Sequence, residues 1–191
     1  MKNLPEKKSV VLLLFLSIIT AGIYVPVWYL KRTKELNNLN TEKKLSVGLA
    51  KTYLILHILY LISAIVIQIM MKGAIMTMDL VALASFTIFL GLLSLVGLIQ
   101  FIIMLILAFS TRTVLNQALD KKGVTRKISG LFTFFFNFAY LQYEINRIID
   151  DRENEKRVGP WIWFILLIIT PIIIYIIFAI LMILGITSSL I

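Results

Sequence analysis

His57 is the single histidine of a 191-residue chain that contains no Cys. It sits inside an apolar run, Ala50 to Met71, long enough to span a bilayer. An ionisable imidazole at that depth points first to a proton relay or a ligand contact. A relay needs a chain of titratable partners, and none accompanies His57. The simpler reading is a neutral imidazole hydrogen-bonded to Ser94 or Gln100 of a neighbouring span. Gln68 and Gln100 read the same way, as interhelical hydrogen-bonding groups rather than substrate contacts. Tyr53, His57, Tyr60, Ala64 and Gln68 recur at helical steps and share one helix face. Ala84, Thr87, Gly91 and Ser94 do the same on the next span. A turn centred near Ile75 would set Ala64 by Thr87, Tyr60 over Gly91 and His57 by Ser94. Small residues receiving aromatic and polar ones is ordinary membrane packing, each polar contact averaging ~0.6 kcal/mol.

Other chemistry is sparse. The absence of Cys excludes disulfides, thiolate chemistry and Cys-ligated metals. There is no H-E-x-x-H, no pair of acids within a span, no Gly-rich phosphate loop after a strand, and only one His for any triad. The one pair that could work at a single depth is His57 with Glu144, and an intramembrane enzyme is the weakest of three readings. No catalytic residue, cofactor or metal ligand is assigned. Glu144, Asn146 and Arg147 read as the wet side of an interfacial helix, and Phe132 to Phe138 as lipid-facing bulk. Lys31, Arg32 and Lys34 follow Trp28 and Tyr29, an aromatic interface marker, and read as a topology anchor that meets anionic headgroups.

The elements that must position these residues are apolar. The composition is 60% hydrophobic with a net charge of +9. That apolar fraction fits a bundle of membrane helices. The cations sit in short loops beside apolar spans, which favours lipid over nucleic acid. Leu80 to Phe109 is free of charge over thirty residues, roughly 45 Å of helix against roughly 30 Å of hydrocarbon. Its continuation, Ser110 to Asp120, still reads helical, with a stop at Gly123. Lys72 to Asp79 reads as a short turn. Segment 9–30 is apolar but interrupted at Ala21-Gly22 and Pro26. A basic tail before it also resembles a secretory signal, but no small-x-small site closes the run. Segment 128–141 is short for a crossing, and an amphipathic stretch follows it. Pro160 to Leu184 spans, with Pro171 a kink site. Residues 10–40 and 128–157 echo each other: an apolar run, a break, then an amphipathic basic helix.

Ser17-Ile18-Ile19-Thr20-Ala21-Gly22-Ile23-Tyr24, then Trp28 and Lys31, then Glu35-Leu36-Asn37, resembles the signature of a bacterial membrane family catalogued only as a domain of unknown function. The chain departs from that signature at Pro26 and Val27. The resemblance covers about twenty residues and involves Ser17, Thr20, Gly22, Tyr24, Trp28, Lys31 and Asn37. It implies a multi-pass protein of the bacterial cytoplasmic membrane and brings no assigned activity.

Topology follows from counting cations. If all five apolar segments cross, eleven Lys and Arg lie on one side and eight on the other. If 9–30 and 128–146 enter without crossing, the division is eighteen to one, with Lys72 alone outside. If 9–30 alone crosses in addition, it is fifteen to four. The positive-inside rule prefers the second. The expected fold is therefore all-α, a polytopic helical bundle in one domain of residues 1–191. It has three full crossings and two re-entrant or interfacial units (five crossings is the alternative). The parts are 9–40, 50–120, 128–157 and 160–184. The expected function is non-enzymatic: binding lipid with anionic headgroups, a membrane-protein partner or a second copy, through helix packing. The competing reading is a small transporter or channel component with the re-entrant units lining a path.

Overall fold

The computed structural model describes residues 5–77, 80–152, 154–156 and 158–183. The chain forms two compact units, Met1–Asn154 and Glu155–Ile191. Among the described residues the regular structure is entirely helical: α1 (Val10–Ile19), α2 (Tyr24–Asn37), α3 (Val47–Thr77), α4 (Leu80–Lys121), α5 (Gly130–Ile149) and α6 (Val158–Ile183). Three stretches are long and apolar enough to cross a membrane: Val47–Gly73, Ala84–Lys121 and Val158–Phe178. The protein is a membrane protein, all-helical among the described residues, with three candidate full spans and further, shorter helices.

The first unit is built on the α3–α4 hairpin. α3 runs through Lys72 and Gly73 to Thr77, so the short turn expected at 72–79 is mostly helix. The apolar residues on both sides of Lys72 outweigh its charge and the weak helix propensity of one Gly. With α3 ending at Thr77 and α4 beginning at Leu80, the register shifts. Tyr60 lies against Gly97, where an added Cβ would meet its ring at 3.6 Å. His57 pairs with Gln100. The expected pairings of Tyr60 with Gly91 and His57 with Ser94 are thereby corrected by six residues. At its far end α4 stops as anticipated at Gly123. That residue takes φ 75, and the bonds Gly123 N–H to Asp120 O (2.9 Å) and Val124 N–H to Leu119 O (3.0 Å) close a Schellman motif.

Segments 9–30 and 128–149 each fold back rather than run straight. Ser9 caps α1 by accepting from Leu12 N–H, and Ser129 caps α5 by accepting from Phe132 N–H. α1 ends where Ala21 (φ 49) and Gly22 (φ 87) enter the left-handed region. Thr20 Oγ1 donates to Leu16 O at 2.7 Å and accepts from Tyr24 N–H at 3.0 Å, so one side chain serves both helix ends. The chain then returns until Arg32 Nη2 donates to Glu6 O at 2.7 Å. In α5 the reversal is at Asn137, with φ 44 and ψ −123. Asn is among the few residues with a side chain that tolerate positive φ. The returning arm brings Tyr140 back to Ser129, whose N–H donates to the Tyr140 hydroxyl at 3.0 Å. The echo between the two segments is thus a shared design: Ser cap, apolar arm, left-handed break, polar arm.

In the second unit α6 carries Pro171 within its helix. Leu184 and the residues after it lie outside the described set.

Candidate functional site

The polar side chains of the first unit converge where the two folded-back segments meet. Trp28 and Arg32 lie one turn apart on α2, and Gln142, Asn146 and Asp150 recur every fourth residue on the second arm of α5. Gln142 Oε1 accepts from Trp28 Nε1 (2.9 Å), Arg32 Nε (3.1 Å) and Arg32 Nη2 (2.9 Å). Arg32 Nη1 pairs with Glu35. Gln142 Nε2 donates to Asn146 Oδ1 at 2.8 Å. Asn146 then holds the Lys8 backbone from both sides, accepting from its N–H at 3.2 Å and donating to its carbonyl at 2.7 Å. Lys7 closes the row on Asp150 at 2.7 Å. The result is a clasp joining the N-terminal segment, α2 and α5.

Beneath it the apolar residues Pro5, Leu39, Leu115, Ala118, Ile145 and Ile148 line one seam of the core. A second contact joins α2 to the reversal of α5: the Tyr29 hydroxyl donates to Asn137 Oδ1 in a buried setting. Tyr29 also packs edge-on to Trp28 (4.9 Å) and Tyr53 (6.3 Å). Burial pushes the Tyr29 phenol well above its ordinary value. It therefore stays a neutral hydroxyl, the form that donates.

Several expected surface residues are internal. Arg32 is 1% exposed, so it is not a headgroup ligand. Lys31 and Lys34 on the same helix are exposed. Trp28 is core, not an interface marker. Glu144 and Arg147 are buried and Asn146 is half-buried, so the wet-face reading of these three is corrected. Arg147 donates to Arg152 O at 2.8 Å and lies 5.5 Å from the Tyr143 ring centroid. Of the Phe132–Phe138 group, Phe134 and Phe135 face outward while Phe132 and Phe138 are buried. Hydropathy cannot separate a polar stripe that faces water from one that faces another polar stripe. The available signal was the matching one-turn spacing of Trp28–Arg32 and Gln142–Asn146.

His57 meets the tip of the first segment. Its Nδ1 lies 2.9 Å from Gln100 Oε1 and its Nε2 3.1 Å from Ala21 O. Both oxygens only accept; the backbone carbonyl is fixed whereas the Gln100 amide can turn, so Nε2 is the nitrogen that donates to Ala21 O. Gly22 is required beside it: a Cβ there would stand 3.0 Å from Nε2, at a φ that L side chains rarely adopt. Tyr53 and Tyr60 flank the imidazole at ring distances of 6.3 and 6.4 Å. The other residues of the proposed polar face do not join this site. Gln68, Thr87, Gly91 and Ser94 are exposed, and Ser94 Oγ donates to Leu90 O of its own helix. Among the described residues no group of three His, Cys, Asp or Glu could hold a metal ion.

Residues 8–117, more than half of the chain, match the family described as Domain of unknown function (DUF4234). The chain belongs to that family. No curated protein and no solved structure matches it. The DUF4234 match takes in α1 to α3 and most of α4, while the α5 side of the clasp lies beyond it. The stretch that carried the resemblance supplies the first reversal and its attachments. Ser17 Oγ donates to Leu13 O at 2.7 Å. Thr20 and Gly22 make the break, and Tyr24 opens α2. Asn37 holds Leu45 from both sides, donating to its carbonyl at 2.9 Å and accepting from its N–H at 2.7 Å.

Proposed function

We propose that this DUF4234 protein carries out no catalytic step and works by association with lipid, through apolar folded-back segments and a collar of lysines at their base. One observation carries the reading. Trp28, Arg32, Gln142, Asn146, Tyr29, His57 and the Oδ1 of Asn137 are engaged with one another or with backbone, and the surface facing outward is apolar and cationic. Val11, Phe15 and Ile18 of α1 and Leu131, Phe134 and Phe135 of α5 are exposed, as an apolar solvent allows. Lys31, Lys34, Lys43 and Lys51 are exposed near that end of the bundle. Juxtamembrane cations each contribute about 1 kcal/mol of attraction to an anionic leaflet.

The test is thermal stability of the purified protein in detergent while phosphatidylglycerol or phosphatidylcholine is titrated in. Phosphatidylglycerol should raise the melting temperature more. The double variant Lys31→Gln, Lys34→Gln should lose part of that increment without altering the lipid-free melt. Equal responses to the two lipids would reject the reading.

A further inference from the structure

We propose that the first unit is a wedge that sorts to curved membrane, with its broad half in the leaflet on its cationic side; this rests on the lipid-association reading above. The observation is where the helices lie along the α3–α4 hairpin. On the cationic side α2 and α5 pack around its ends, and α1 packs on α2 and α5. Ala50 and Tyr53 of α3, and Gln100, Ile103, Leu107, Ala108, Thr111, Val114 and Leu115 of α4, are all buried there. On the opposite side the hairpin, within this unit, is α3 and α4 alone. From Ile58 to Gly73 and from Val81 to Ile99, Ile67 is the one buried side chain among those described.

The added helices reach about half-depth. Arg112 Nε donates to Ile128 O at 2.8 Å, which marks the base of the second folded-back segment. Phe134 meets Phe101 at a ring distance of 6.5 Å, which marks its upper reach. Arg112 and Phe101 are eleven residues apart on α4, about 16 Å of helix against roughly 30 Å of hydrocarbon. The first segment is shallower. Its tip touches His57, six residues beyond Lys51, about 9 Å.

The arms facing outward are made for lipid. They expose Phe15, Ile18, Ile19, Leu131, Phe134 and Phe135, and the lysines beside them favour headgroups of the same leaflet. A protein that displaces more area in one leaflet than in the other is best accommodated where that leaflet is expanded. Amphipathic insertions into one leaflet are curvature-sensitive for this reason. The clasp makes the wedge rigid: both folded-back segments are tied by buried polar bonds rather than by hydrophobic contact alone, so the broad half cannot spread to fit a flat leaflet.

Fluorescently labelled full-length protein, reconstituted into giant vesicles of phosphatidylcholine and phosphatidylglycerol, is examined in membrane tethers pulled outward. Sidedness is read with an impermeant thiol reagent on Lys43→Cys and Thr77→Cys variants. With the cationic side outward, density in the tether should exceed that in the parent vesicle several-fold. With the cationic side inward it should fall below it. Equal density in both orientations, or enrichment in both, overturns the wedge. Selective stabilisation by phosphatidylglycerol would survive that result, so failure of the wedge and failure of lipid association are separately visible.

Discussion

Gly22 carries two demands that no other residue meets. Its φ of 87 excludes a side chain on conformational grounds, at about 1–2 kcal/mol. The 3.0 Å approach of His57 Nε2 excludes one on steric grounds. Gly22→Ala should therefore lower stability by about 1–3 kcal/mol and loosen the first reversal, which a thermal melt in detergent would register as a clear fall in Tm. An unchanged Tm would mean that the tip does not seat on His57. The imidazole itself is open to direct observation because His57 is the single histidine of the chain. Its Nε2 should be the protonated ring nitrogen, donating to Ala21 O. The 15N shifts of histidine-labelled protein would report this, and a ring protonated at Nδ1 alone would contradict it. Gln100 Nε2, buried without a partner on its far side, can serve Nδ1 after a half-turn of the amide.

The clasp decides which elements are joined. Gln142 Oε1 receives three N–H donors from α2, so Gln142→Leu strands them in the interior. Each buried donor left without an acceptor costs about 1–3 kcal/mol. Adding Arg32→Met removes two of the stranded donors. The double variant should be less destabilised than the sum of the singles, with a coupling of about 0.5–3 kcal/mol. Denaturation of the four proteins in a mild detergent measures it, and additivity would show that the two side chains do not act together. A buried Arg with a polar partner is weak evidence for net stability, since an apolar pair of similar volume is often as stable. The clasp is better understood as setting which helix faces meet.

At the scale of the whole molecule the prediction concerns sidedness. The native chain has no Cys, so single substitutions at Lys7, Lys43, Lys127 and Thr77 are clean probes. In intact cells an impermeant thiol reagent should label Thr77→Cys and spare the other three. Lys7→Cys labelled together with Thr77→Cys would mean that α1 and α2 complete a crossing. Lys7 is held by Asp150, the C-cap of α5, and Lys43 N–H by Gln117 of α4. These ties place the N-terminal segment, the 38–46 loop and the polar arm of α5 at one end of the unit. That is the arrangement the eighteen-to-one division of cations favours.

Much of the architecture was legible from local chemistry. Three spans follow from the length of uninterrupted apolar sequence, because bilayer thickness sets that length. The break at Gly22 and the stop at Gly123 follow from a residue type that accepts positive φ. The cation count favoured three crossings over five before any contact was known. What the tertiary structure decided is where polar residues are spent. Arg32, Trp28, Glu144 and Arg147 carry composition suited to a water interface, yet they face protein. Their partners lie more than a hundred residues away (Trp28 and Gln142, Tyr29 and Asn137). No local pattern encodes such a pairing. The register of α3 against α4 was likewise decided by the length of helix on each side of the turn. A polar side chain at a membrane boundary has two ways to be satisfied, water or another polar chain, and only the packing of distant segments chooses between them.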